Sequence, residues 1–152
     1  MERDRLLKDI NYFVTDIYGK QKELDVEVYV ESLPKNVFKK KYYSDHIKEY
    51  RRLKEMALKI DTDSYDLDPD DEELLELYVM FEETLALYNL YCERGLEVQD
   101  FLKRKAEKQD VLRSEYLAST RRQQSTAMNF SKSLNDLTAA YVDYTQRIGY
   151  EE

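Results

Sequence analysis

Leu6, Leu7, Ile10, Phe13, Val14 and Ile17 recur at three- and four-residue spacing near the start of the chain. That repeat places apolar side chains on one face of a helix. Gly19 weakens the run. Beyond it Leu24 and Val28 continue the helical stripe, while Val26, Val28 and Val30 alternate with Glu27, Tyr29 and Glu31 in the manner of a strand. An isolated strand has nothing to pair with here, so 3–31 is read as helix-rich, with a strand within 20–31 as the alternative. Val37, Tyr43, Ile47, Tyr50, Ala57 and Ile60 mark a second helix over 36–60, with Ser44 as a candidate cap for its main part. Pro34 precedes it. Pro69 stands in an acidic linker over 61–70, and proline is disfavoured inside a helix because it lacks the amide donor and clashes with the preceding turn.

From Leu74 one seven-residue register holds to Ile148. Leu74, Tyr78, Phe81, Leu85, Tyr88 and Cys92 form a first apolar zone, and Phe130, Leu134, Leu137, Tyr141, Tyr144 and Ile148 a second. Between them the same positions are polar or small. A straight helix over 70–148 would span roughly 120 Å. A break near Gly95 or within 119–126, folding the two zones together, is the expected solution; a continuous coiled coil in an oligomer is the alternative. The pattern predicts one all-α domain over 1–152, of three to five helices. It is either an elongated helical bundle or a helical hairpin with long coiled-coil-like helices.

Composition supports this. Of 152 residues 42% are hydrophobic and 37% charged, with three Gly and two Pro. That is too apolar for a disordered chain and poor in helix breakers. One His and one Cys exclude an intrachain disulfide and metal cages built on several histidines. The most apolar stretch, 74–92, is interrupted by Glu76, Glu82 and Glu83 and is not a membrane span. No apolar leader follows Met1, and a cytoplasmic location is the expectation.

The net charge is −8, but it is segregated. Residues 33–59 carry nine basic and three acidic groups, whereas 60–100 carry one basic and fourteen acidic. An antiparallel hairpin of a basic and an acidic helix accounts for that order, with charge choosing register more than adding stability. The alternative leaves Lys39, Lys40, Lys41, Lys48, Arg51, Arg52 and Lys54 free as a patch for nucleic acid or another polyanion. Tyr42, Tyr43 and Tyr50 lie among these charges and offer rings for stacking on bases.

Candidate chemistry is sparse. Asp61, Asp63 and Glu72 fall on positions one, three and twelve of a calcium loop, so 61–72 resembles an EF-hand loop over twelve residues. It departs from that pattern at Tyr65, where a ligand belongs, at Asp66, where a glycine permits the turn, and at Pro69. An acidic linker whose last carboxylates cap the next helix is the expected reading. Glu72, Glu76 and Glu83 share a face, but di-metal bundles also need Glu-x-x-His pairs, and His46 is the sole histidine. His46 is expected on the surface and Cys92 in the packing. No nucleophile elbow, phosphate loop or His-Glu-x-x-His pair occurs, and no cofactor is implied.

Fourteen tyrosines and no tryptophan suit half-buried positions or a partner surface. The sequence therefore predicts a non-enzymatic protein–protein interaction module acting through another protein or a second copy of itself. Its candidate contact residues are Tyr78, Phe81, Leu85, Tyr88, Phe130, Leu134, Leu137, Tyr141 and Tyr144.

Overall fold

A computed structural model describes residues 2–31 and 40–151, with side chains in the second stretch described from Tyr42. Helix α1 (Glu2–Tyr12) runs through a π-helical segment (Phe13–Ile17) directly into α2 (Tyr18–Glu31). Three further helices follow: α3 (Lys40–Leu58), α4 (Glu72–Ala106) and α5 (Arg113–Ile148). Among the described residues there is no strand, and α4 and α5, of 35 and 36 residues, are each about 50 Å long. The result is an all-α bundle of four helical rods.

Within the first rod the Tyr18 N–H reaches back five residues to the Phe13 carbonyl. The Thr15 hydroxyl donates to Asn11 O at 2.6 Å, a side-chain competitor for the backbone ladder. The wider turn keeps Leu6, Leu7, Ile10, Phe13 and Ile17 inside and carries Gln21 and Leu24 inside after them. Gly19 is thus passed without a break. The alternation of Val26, Val28 and Val30 does not make a strand: α2 places Val28 half inside and the other two outside.

The rods pack in alternating directions. Phe13 meets Phe81 and Gln21 meets Tyr88, so α1–α2 runs parallel to α4. His46 meets Gln99, Tyr50 meets Gly95 and Lys54 meets Glu93, so α3 is antiparallel to α4. Asp71 meets Tyr144, Thr84 meets Ser133 and Phe101 meets Tyr116, so α5 is antiparallel as well. One core runs from Leu6, Leu74, Leu137 and Tyr144 at one end to Tyr50, Cys92 and Tyr88 further up.

Helix α4 starts where its sequence says it should. Asp71 caps it by accepting from Leu74 N at 3.1 Å, and Glu72 and Glu73 occupy the positive end of its dipole. It ends elsewhere. Neither Gly95 nor 119–126 breaks the long region; the turn lies between Ala106 and Arg113. Gly95 serves packing, because the ring of Tyr50 occupies the space a side chain there would need. Ser119 and Thr126 are seven apart and buried, while Arg121, Arg122, Gln124 and Ser125 face outward, so that polar stretch is an amphipathic helix built from small residues. His46 is also placed against expectation, buried at 3% exposure between three helices.

Candidate functional site

The bundle closes on three of its four edges. Helices α3, α4 and α5 lie in close backbone contact in that order, and α1–α2 packs on α3 and α4. The backbones of α1–α2 and α5 rarely approach. Rings span the gap instead: Phe13 and Tyr18 reach Phe130 at centroid distances of 6.4 and 6.0 Å, both edge-on. Below these rings the edge opens into a groove of about 550 Å³. Val14, Tyr18 and Lys22 form one wall; Leu134, Thr138, Val142 and Asp143 are on the other. Val142 is 41% exposed. Two more apolar side chains continue these walls upward, Val26 four residues beyond Lys22 at 62% exposure and Met128 two heptads before Val142 at 74%.

Behind the edge the interior holds a polar layer. The Tyr88 hydroxyl donates to Gln21 Oε1 at 2.8 Å, and the Tyr91 hydroxyl donates to Asp25 Oδ1 at 2.7 Å. Gln21 Nε2 donates to the same Asp25 oxygen at 2.8 Å. Desolvation by burial outweighs these bonds and raises the Asp25 pKa above the usual carboxylate value. Burial also pushes the Cys92 thiol up to about 12, so this cysteine is packing and a poor nucleophile. One layer higher, His46 Nδ1 lies 2.8 Å from Gln99 Oε1 and its Nε2 lies against the Glu31 carboxylate. Those contacts tie the end of α2 to α3 and α4.

The predicted contact residues fall mostly on the inner side of this wall. Phe81, Leu85, Tyr88, Phe130, Leu134, Leu137 and Tyr144 are buried in the core, and Tyr78 and Tyr141 are half-buried at its margin. Among them, Leu134 also lines the open groove. Tyr78 donates to Thr62 O at 2.9 Å, and Tyr144 donates to Asp71 Oδ2 at 2.7 Å, so both fasten the start of α4. Val14, Tyr18, Lys22 and Val142 were not among the predicted contacts. Only Val142 carried a local signal, as a large apolar residue outside the seven-residue core register of α5.

Of the basic patch, Lys39 lies outside the described residues, as do the side chains of Lys40 and Lys41. Lys48, Arg51 and Arg52 face outward, with Arg52 bound to Glu49 at 2.6 Å on its own helix. Lys54 pairs with Glu93 across the α3–α4 interface at 3.0 Å. The antiparallel hairpin forms, yet its contact surface is apolar: Tyr50, Leu53 and Ala57 are buried in it.

In the acidic segment Asp61 Oδ1 accepts from Asp63 N at 3.2 Å, and hydrogen bonds from Ser64 and this amide lower its pKa. Glu72 stands apart as the first residue of α4. Among the described residues no three acidic, histidine or cysteine side chains are grouped to hold a metal ion. The segment is strapped to the bundle: Arg5 lies over the Tyr65 ring at 4.2 Å and donates to Ser64 Oγ at 2.9 Å, while the Tyr65 hydroxyl donates to Asp9. Among the described residues no helix is long and apolar enough to cross a membrane. Comparison with family models, with curated proteins and with solved structures gives no match to this chain.

Proposed function

We propose that the chain is a non-enzymatic helical interaction module: an adaptor, assembly factor, chaperone or subunit of a larger complex. The observation that carries this reading is the unclosed edge between α1–α2 and α5, where every other edge of the bundle is sealed by a neighbouring helix. It is a groove in which Val14, Tyr18, Leu134, Ala139 and Val142 line the walls between polar Lys22, Asn135, Thr138 and Asp143. Closing such an edge with another protein's apolar face buries surface at about 25 cal/mol per Å², the main driving force of association. The contact is therefore placed on the outer margin of the Phe130–Ile148 stripe, with the rest of that stripe held in the core. A reducing cytoplasmic setting for the lone Cys92 belongs to the same reading.

The test is site-specific photo-crosslinking. A benzophenone amino acid replaces Val142 in the groove and, as a control, the exposed Val79 on α4. In extract of the native host the Val142 probe is expected to give one discrete adduct and the Val79 probe none. No adduct from Val142, or the same adducts from both positions, would overturn the proposal.

A further inference from the structure

We infer that the occupant of the open groove is an amphipathic helix of another protein, at least four turns long, antiparallel to α1–α2, with an acidic residue against Lys22 and a basic residue against Asp143. This rests on the reading of the edge as a contact surface and adds to it the chemistry of the partner.

Shape comes first. The walls are two helical rods, so all backbone amides there are already bonded along their helices, and an incoming strand finds no ladder to join. What the walls offer is rows of side chains: Val14 and Tyr18 on one, Leu134, Thr138 and Val142 on the other. A helix fits between such rows with apolar anchors at three- and four-residue spacing.

Charge then sets direction. Lys22 is held over the Tyr18 ring at 5.1 Å, and neither it nor Asp143 has an ion-pair partner among the described residues. They sit at opposite ends of the groove. Lys22 follows Gln21, which pairs with Tyr88; through the Thr84–Ser133 pairing that level meets α5 near Asn129. Asp143 lies fourteen residues further along α5, about 20 Å away. A partner helix presenting an acid at one end and a base at the other satisfies both charges. Acids favour a helix N-terminus and bases a C-terminus, so the partner's N-terminus belongs at the Lys22 end. That orientation is parallel to α5.

The experiment selects binders from a displayed library of helical peptides with an apolar strip and randomised charge at both ends. Targets are the intact chain, the groove-blocking variant Val142→Glu, the charge-swapped variant Lys22→Glu/Asp143→Lys, and Val79→Glu as control. Circular dichroism checks that each is folded. Peptides selected on the intact chain should carry acid first and base last. Val142→Glu should weaken them at least tenfold, and Val79→Glu should leave them unchanged. Because the dipole favours acid first in either direction, the charge swap should keep that order and turn the peptide end for end, read as a move of a crosslinker on its N-terminus from the Lys22 end to the Asp143 end. Failure to select any peptide, binding that ignores Val142→Glu, or a bound direction that ignores the charge swap would each overturn the inference. So would sedimentation showing a dimer that Val142→Glu dissociates, since a second copy would then fill the edge. A discrete crosslink at Val142 with no helical peptide selected would reject the helix while leaving the contact surface intact.

Discussion

The ring of Tyr50 lies directly on the backbone of Gly95: a Cβ built at Gly95 would be 2.5 Å from both Cε1 and Cζ of that ring. Tyr50 is itself buried, with Gln123 as a hydrogen-bond partner for its hydroxyl. The ring cannot retreat outward without emptying the core around it. Gly95 is thus the position that allows α3 and α4 to approach closely.

Gly95→Ala should therefore destabilise the protein although alanine is the better helix former. Overpacking costs about 1–3 kcal/mol, and helix propensity returns up to about 1 kcal/mol, so a net loss of about 1–2 kcal/mol is expected. Urea denaturation measures it. In a double-mutant cycle Tyr50→Ala should remove most of that loss, with a coupling of about 1 kcal/mol or more. Additive effects would show that the two residues do not meet.

Asp25 gives the bundle a pH dependence of known sign. Its carboxyl has a raised pKa in the folded protein, chiefly through desolvation. The native state then binds the proton more tightly than the unfolded chain. Its contribution is fully present below the unfolded value near 3.9 and is lost as pH rises through the raised native value. Asp25→Asn keeps an oxygen to accept from Tyr91 and Gln21 and removes the charge. The variant should be more stable than the parent at pH 7, with the difference shrinking as pH falls towards 4. A constant difference across that range would reject the assignment.

Helices α4 and α5 end in the same motif with different residues. After α4 the Gln109 N–H bonds Arg104 O at 2.9 Å around Lys108 at φ 60°; after α5 the Tyr150 N–H bonds Thr145 O at 2.9 Å around Gly149 at φ 68°. Both are Schellman turns, and only one has the glycine that the left-handed conformation favours. Lys108→Gly should stabilise by about 0.5–1 kcal/mol, the relief of about 1–2 kcal/mol less the entropy cost of glycine. Gly149→Ala should cost about 1 kcal/mol. Thermal and urea midpoints of both variants check the pair.

The helices and their inner faces were legible because amphipathic periodicity is written in side chains: Leu6 to Ile17 and Leu74 to Cys92 go inside as spaced. The turn after Ala106 was not. Its marks are charge and a lysine in a glycine's conformation, whereas Gly95 looked like a breaker and is a packing device. His46 was misplaced because its partners, Gln99 and Glu31, are distant in sequence and no local pattern announces them. The groove was hidden for a similar reason. Leu134 carries the core register, but Val14, Tyr18 and Val142 become one surface only when the first and last rods are set side by side without closing.

The basic face of α3 provides the last prediction, and it separates the interaction module from a polyanion binder. Arg51 is exposed and Arg52 is satisfied by Glu49 on its own helix, so neither holds α3 to α4. Reversing both, Arg51→Glu/Arg52→Glu, should change stability by at most about 1 kcal/mol, as expected for exposed pairs. Leu53 is fully buried beside them, and Leu53→Ala should cost about 2–5 kcal/mol. The hairpin is thus expected to be held by its apolar surface and only biased by charge. The fourteen acidic groups over 60–100 give the neighbouring linker and helix a field that repels phosphate. A short DNA duplex titrated at low salt should accordingly show no binding. Binding that weakens about tenfold or more between 50 and 200 mM salt, and that the double reversal abolishes, would instead establish α3 as a phosphate-contacting surface.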